Sequence, residues 1–358
     1  RQPEFTQIDI EASFITSEDI YTLTEGMLAA LWQEGGVTVS LPFPRMTYAE
    51  AMEQYGSDKP DLRYGMELFD ATEAFRATDF SIARSTIESG GRVRGVRIPG
   101  GATLSRKQVA ELEALAKGAG AGGLLRLKRE KGELTGPPGK FLSPEQGAML
   151  GIAEGELCVL VAAPDRVSSP ALDRVRQEAA RLMQLIPANA VRFLWVVDFP
   201  LFEKDAKTGA LGAVHHPFTS PHPDDLAFLD SAPERARAMA YDVVLNGTEL
   251  GGGSIRIANP EVQRRMFNLL AIDDETAQQR FGFLLEGLRS GAPPHGGIAL
   301  GFDRIAMLLS GASSLRDVIA FPKSTAARAL FEGAPTVVAA QDLRDLHIRL
   351  LEDAEALR

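Results

Sequence analysis

Cysteine, histidine and long apolar runs are what this sequence has least of. A single cysteine, Cys158, excludes an internal disulfide framework and fits a reducing cytoplasm, where the protein is expected to work. Five histidines beside that one cysteine leave little material for a structural zinc site. No apolar run approaches the roughly 20 residues that span a bilayer, and neither a signal peptide nor a membrane partner is expected. No phosphate-binding P-loop occurs. A net charge of −10 rules out a basic footprint spread over the whole molecule. What is present is ordinary for a folded protein: 358 residues, 45% hydrophobic and 24% charged, with room for two domains.

The charge is uneven. Residues 84–140 hold twelve Lys/Arg against five Asp/Glu, which reads either as a solvated basic face or as a phosphate-backbone contact surface. The texture also changes there. From about residue 73 to 170 the chain is Gly-rich, basic and mixed, with a strand at Val93–Ile98 and a capping box at Ser105 and Gln108. Gly136-Pro137-Pro138-Gly139 makes a turn, and Leu157–Ala162 reads as a buried strand. This stretch is expected to be a smaller α+β domain inserted into a larger one formed by 1–72 and 171–358.

In the flanking parts, Gln7, Asp9, Glu11 and Ser13 alternate with Ile8, Ile10, Ala12 and Phe14, a half-buried strand. A helix follows from Ser17 to about Glu34, and another near Thr47–Tyr55. Beyond the insertion, a helix from Leu172 to about Leu185 precedes a strand at Val191–Phe199. Helices around Pro260–Leu270 and Glu275–Leu288 come later. Strands joined by tight turns, with helices between, predict an α+β fold: a mostly antiparallel sheet backed by helices.

Three segments carry chemistry. Asn246-Gly247 between apolar runs predicts a two-residue hairpin that pairs Leu245 with Thr248 and Val244 with Glu249. Asp242 then shares a face with Glu249, and two carboxylates so placed suit Mg²⁺ shared with phosphate oxygens; a solvent-facing hairpin is the alternative. Gly251-Gly252-Gly253 follows, and strict alternation puts Arg256 on the face away from Glu249. A one-residue bulge in the glycines returns it to that face, where its fork matches a carboxylate. Otherwise it is a surface arginine. His215-His216 lacks zinc-ligand spacing and reads as a hydrogen-bonding pair toward a substrate or as structural histidines. The third segment, Gly296–Leu309, is a short strand, a glycine and a helix with Arg304 in its first turn, an architecture for gripping a nucleoside triphosphate.

Taken together, these pieces resemble the bacterial-type aspartyl-tRNA synthetases, of class II. RQPEFTQIDIE (Arg1–Glu11) is similar to the second half of class II motif 2. GSDKPDLR (Gly56–Arg63), WVVDFP (Trp195–Pro200), HHPFTSP (His215–Pro221), NGTELGGGSIRI (Asn246–Ile257) and GAPPHGGIALGFDR (Gly291–Arg304, motif 3) follow in family order, with Phe321-Pro322-Lys323 after them. The resemblance implies an antiparallel sheet flanked by helices that condenses L-aspartate with ATP and then charges the 3′ end of tRNA(Asp), and of tRNA(Asn) in some members. It implies that Arg304 holds the ATP γ-phosphate, with Gly301, Phe302 and Asp303 lining the nucleotide site and Gln2 touching ATP. Glu249 and Asp242 are then the Mg²⁺ ligands, Glu249 also serving the nucleotide. Arg256 clamps the aspartate side chain under His215, and Gln7 and Asp9 receive the ammonium end. Arg256, Arg304 and Glu249 carry the catalysis.

The inserted domain resembles one shared with tRNA-dependent amidotransferases. The family's anticodon-binding domain, motif 1, which builds its homodimer, and the first half of motif 2 have no counterpart here. The resemblance therefore implies the C-terminal part of a synthetase, inactive unless joined to those segments. The alternative is a non-catalytic paralogue that binds ATP, aspartate or tRNA as a regulatory or partner subunit.

Overall fold

The chain opens on β1 (Gln7–Ser13), whose exposed residues alternate with half-buried ones as the pattern requires. Thr16 caps α1 (Ser17–Glu34) in a reciprocal box with Asp19. β2 (Arg45–Thr47) runs directly into α2 (Tyr48–Tyr55), which ends on left-handed Gly56. Next come β3 (Leu68–Asp70), β4 (Arg92–Ile98), α3 (Arg106–Gly118), β5 (Leu125–Glu130), β6 (Glu133–Thr135) and β7 (Leu157–Ala163). α4 (Asp165–Leu182) leads to β8 (Phe193–Val197), β9 (Ala240–Leu245) and β10 (Thr248–Ile255). The series closes with α5 (Pro260–Leu269), α6 (Asp274–Arg289), β11 (His295–Gly301) and α7 (Phe302–Ser310). This is a computed structural model, and it describes residues 2–350. It divides into two compact units, one of residues 9–300 and one formed by the described parts of 1–8 and 301–358. Among the described residues no helix is long and apolar enough to cross a membrane.

The larger unit is built on a six-stranded sheet in the order β1-β11-β10-β9-β8-β2. The pairs β8–β9, β9–β10 and β10–β11 are antiparallel and β2–β8 is parallel, so the sheet is mostly antiparallel as the sequence predicts. α1 covers one face. Its Tyr21 ring lies 4.6 Å from Trp195 and edge-on to Tyr241 at 5.3 Å, and Trp32 meets Phe193 edge-on at 5.0 Å. Burying the Trp195 indole requires a partner for its N–H, which donates to Glu25 Oε1 at 3.0 Å. On the opposite face Leu194, Val196, Ala240 and Val244 pack with Ala51 of α2 and Phe199. Asp242 and Glu249 belong to that second face.

The insertion forms its own antiparallel sheet of five strands, ordered β3-β4-β7-β5-β6. β7 is buried on both sides. Val159 and Val161 meet α3 and α4 through Leu112, Leu172 and Val175, while Cys158 and Leu160 meet Phe75, Leu127 and Leu150 on the other face. The sequence boundary expected after residue 170 falls inside α4, which runs from Asp165 straight through Pro170. Proline reads as a helix breaker, but here the apolar stripe Ala171, Leu172, Val175 and Ala179 carries the helix across it into the insertion's core.

Two buried arginines fasten this sheet to the preceding chain. Arg94 donates to Ser169 Oγ at 2.8 Å and to the Met52 carbonyl at 3.0 Å. Arg176 donates to the carbonyls of Asp61 (2.7 Å), Tyr64 (3.0 Å) and Met66 (3.1 Å), its guanidinium lying over the Tyr55 and Tyr64 rings.

The glycines of β10 are packed to contact. A Cβ on Gly253 would overlap the Gly297 carbonyl oxygen and stand 2.8 Å from both Ile298 Cα and the Tyr241 ring. Gly26, in α1, has nothing within 4 Å of the same position. Gly253→Ala should therefore destabilise the fold by about 3 kcal/mol, whereas Gly26→Ala should be neutral or stabilising by about 0.5–1 kcal/mol. Denaturant titration of both variants checks this contrast.

Candidate active site

The hairpin β9–β10 positions the acidic pair. Asn246 (φ 52°) and Gly247 (φ 82°) both take the left-handed conformation of a two-residue turn, and Val244 pairs with Glu249 and Leu245 with Thr248. One residue further the register slips. Val243 faces Gly251 and Asp242 faces Gly252, which leaves Leu250 as an extra residue. The bulge predicted within the glycines thus lies immediately before them.

Its consequence is the one the sequence makes conditional. Past the bulge Glu249, Gly252, Ser254 and Arg256 follow one another along one face, and the direct bond from Arg256 Nη1 to Ser254 Oγ (2.6 Å) shows it. Gly252 leaves room for the Asp242 carboxylate: a Cβ there would overlap Asp242 Oδ1 and turn that side chain away. The Asp242 carboxylate therefore lies across the neighbouring strand, on the face that carries Glu249 and Arg256.

Arg256 is enclosed on this face, with about a fifth of its side chain exposed. Nε donates to Glu11 Oε1 at 3.2 Å and Nη2 to Glu11 Oε2 at 3.1 Å, a two-toothed carboxylate contact. Nη1 also approaches His216 Nε2 at 2.5 Å. Nδ1 on the other side of the ring accepts from the Phe218 backbone N–H at 3.2 Å, with Thr219 Oγ1 at 3.5 Å. The loop bearing His216 is laid against the strand end by backbone bonds from Ser220 N–H to Ile255 O (2.8 Å) and from Ile257 N–H to Phe218 O (2.9 Å). Buried Gln263 of α5 donates to the Pro217 carbonyl at 2.9 Å.

His215 points elsewhere. Its ring stands edge-on to Phe199 at 4.8 Å and its buried Nε2 has no hydrogen-bond partner among the described residues. Burial lowers its pKa, Glu249 opposes that shift, and Arg256 adds to it, so both charges act on this ring. His216 falls to about 4, first through burial and then through Arg256 and His215. Both rings are neutral near pH 7.

The remaining expected residues are distributed as follows. Asp9 lies on the exposed face of β1 two residues from Glu11, and Gln7 continues that face. In the smaller unit Gln2 is half-buried, Gly301 precedes α7, Phe302 is half-exposed and Arg304 is the third residue of that helix. Asp303 is committed to the backbone: Thr6 donates its N–H to Oδ2 at 2.8 Å, and Phe302 N–H returns a bond to the Thr6 carbonyl at 3.0 Å. Lys323 of the Phe-Pro-Lys stretch pairs with Glu4. Asp61 of GSDKPDLR is gripped by Arg63 (2.6 Å) under the Gly247 turn, which makes that stretch a support for the hairpin.

Sequence reasoning missed Glu11 and chose His215 where His216 makes the contact. Glu11 had a usable signal, since it continues the polar face of Gln7 and Asp9. The choice between adjacent histidines depends on the loop's path and had none. Asp242 and Glu249 supply two hard oxygen donors, and no cluster of three or more potential ligands occurs among the described residues. Such a pair fits Mg²⁺, which draws its remaining oxygens from phosphate and water, and does not fit an all-protein metal cage.

A family model for class II tRNA synthetases (D, K and N) matches residues 1–325. The chain belongs to that family. Among curated relatives of this synthetase family, an aspartate–tRNA ligase of Halalkalibacterium halodurans is 49% identical and an aspartate–tRNA(Asp/Asn) ligase of Caldanaerobacter subterraneus is 46% identical, each over 98% of this chain. An aspartate–tRNA ligase of Bacillus licheniformis is 48% identical over 98%. The chain spans 60% of the length of each of these relatives.

The neutral His216 makes stability depend on pH. Its folded pKa of about 4 lies below the ordinary imidazole value of 6.5, so between those limits the unfolded chain binds more protons. The associated stability is complete above pH 6.5 and lost as pH falls through 4. The urea midpoint should decline over that window, and His216→Gln should flatten part of the decline, His215 keeping the rest. An identical profile for the variant would contradict the burial of a neutral ring.

Proposed function

We propose that this chain carries the aspartate-activating machinery of an aspartate–tRNA ligase, which joins L-aspartate to ATP as aspartyl-adenylate, releasing pyrophosphate, and then transfers the aspartyl group to the 3′ end of tRNA(Asp) or tRNA(Asn). The observation that carries this reading is the Arg256 fork. It lies on the same sheet face as Asp242 and Glu249, and its two-toothed pairing with Glu11 supports its reading as a carboxylate clamp.

The chemistry asks little proton transfer of the protein. The α-carboxylate of aspartate is already ionised and attacks the α-phosphorus of ATP, so the side chains hold, orient and neutralise. Arg256 takes the side-chain carboxylate with neutral His216 and His215 beside it, while Asp9 and Gln7 receive the ammonium group. Arg304, in the first turn of its helix, takes the γ-phosphate, and Gly301, Phe302, Asp303 and Gln2 attend the nucleotide. Asp242 and Glu249 would hold Mg²⁺, which supplies charge neutralisation to the phosphates when bound. The same reading implies a cytoplasmic homodimer.

Specificity follows from charge. An asparagine side chain cannot replace the counter-charge that Glu11 supplies to Arg256, so it does not compete with Glu11 for the fork as a carboxylate does. In the natively expressed protein, aspartate-dependent ATP–pyrophosphate exchange is expected. Arg256→Leu should raise the aspartate KM by a factor on the order of 100 or more, with the ATP KM little changed. An unchanged aspartate KM would discard the assignment of Arg256.

A further inference from the structure

The inserted domain is rich in cations, and the structure separates those that hold the fold from those that do not. Arg84 pairs with Asp79, and Arg92 with Glu53, Asp70 and Asp165. Lys107, Lys117 and Lys128 pair with Glu111, Glu113 and Glu130. Arg94, Arg97 and Arg129 donate to the backbone carbonyls of Met52, Leu150 and Ile152. Of the twelve Lys/Arg in 84–140, this leaves Arg106, Arg126, Lys131 and Lys140 with no side-chain partner among the described residues.

Arg106, at the first position of α3, and Arg126, on β5, line one cavity of about 210 Å³, joined there by Lys128. The other lining is apolar, chiefly Leu104, Leu127 and Leu157. Gly136 also lines it, and its φ of 135° and its contact with the Arg126 carbonyl leave no space for a Cβ. Two arginines without counter-charges beside an apolar hollow match a ligand with a flat apolar body and a phosphate. The volume lies below the roughly 300–1,000 Å³ of sites that enclose whole small ligands. A single base fits inside while its sugar-phosphate stays at the cationic rim.

We propose that this cavity receives one unpaired nucleotide of an RNA, its base against Leu104 and Pro137, the accessible part of the apolar lining, and its flanking phosphates on Arg106 and Arg126. This rests on the reading of the chain as part of a tRNA-charging enzyme. A free nucleotide offers the same chemistry; that reading favours the polymer, and the test below separates the two.

The test is filter binding of the 358-residue chain to a tRNA(Asp) transcript between 50 and 200 mM salt. Loss of two phosphate contacts in Arg106→Ala/Arg126→Ala should weaken binding about tenfold or more at the low-salt end and reduce the salt slope by about 2. Thr135→Trp, which fills the cavity without changing charge, should weaken binding at unchanged slope. Lys131→Ala/Lys140→Ala, an equal loss of charge away from the cavity, should have a smaller effect on both affinity and slope. Equal effects of the two double variants, or full affinity in Thr135→Trp, overturn the proposal. So does saturable AMP or UMP binding that Arg106→Ala/Arg126→Ala abolishes while tRNA affinity stays intact. Aspartate-dependent exchange by the natively expressed protein reads the proposed activity without RNA. Exchange retained while tRNA binding ignores the cavity variants defeats this inference alone; loss of exchange and of RNA binding together defeats both readings.

Discussion

Everything on the functional face depends on one extra residue in one strand. Leu250 shifts the ladder between β9 and β10 so that Glu249 and Arg256, which strict alternation would separate, share a face. The three glycines that follow make the shift usable. Gly252 leaves the space that the Asp242 carboxylate occupies, while Gly251 and Gly253 let β10 lie against β11 at backbone contact. Side chains at Gly251 or Gly253 would push the strands apart, and one at Gly252 would turn the Asp242 carboxylate away. A register defect that elsewhere would weaken a sheet is here the source of its charge pattern.

Arginine does two different jobs in this chain, and burial of its partners tells them apart. Arg94 and Arg176 are almost wholly enclosed and donate mainly to fixed backbone carbonyls, a geometry that orders segments distant in sequence. Arg256 is partly exposed and pairs with Glu11, about half of whose side chain is exposed. An exposed carboxylate is displaced at small cost, since it regains water on leaving. Under the proposed function, Glu11 keeps the fork oriented and neutralised until a substrate carboxylate takes its place, and neutral His216 backs the guanidinium without competing for its charge.

Local signals carried far in the sequence. Asn246-Gly247 determines the hairpin pairing because only residues tolerant of positive φ close that turn. Ser105 with Gln108 determines where α3 begins, since the box satisfies backbone donors that nothing else reaches. The glycine run signalled a bulge, and with it the face of Arg256. Long-range facts were less legible. Glu11 meets Arg256 across 245 residues of sequence. The course of α4 through Pro170 reflects an apolar stripe whose partner strands lie far upstream. The basic stretch 84–140, uniform in the sequence, breaks up in the fold because several of its arginines find acids and carbonyls outside it, as Glu53, Asp165 and Leu150 illustrate, while Lys107, Lys117 and Lys128 pair with glutamates within it.

The central claim is that the Arg256 fork is the receptor for a substrate carboxylate and that Glu11 occupies it in the meantime. A crystal structure of the protein with a non-hydrolysable aspartyl-adenylate analogue tests this most directly. The account predicts the analogue's side-chain carboxylate on Nε and Nη2 of Arg256, with Glu11 turned away from both. A bound analogue whose carboxylate lies elsewhere, with the Arg256–Glu11 pair intact, would contradict it.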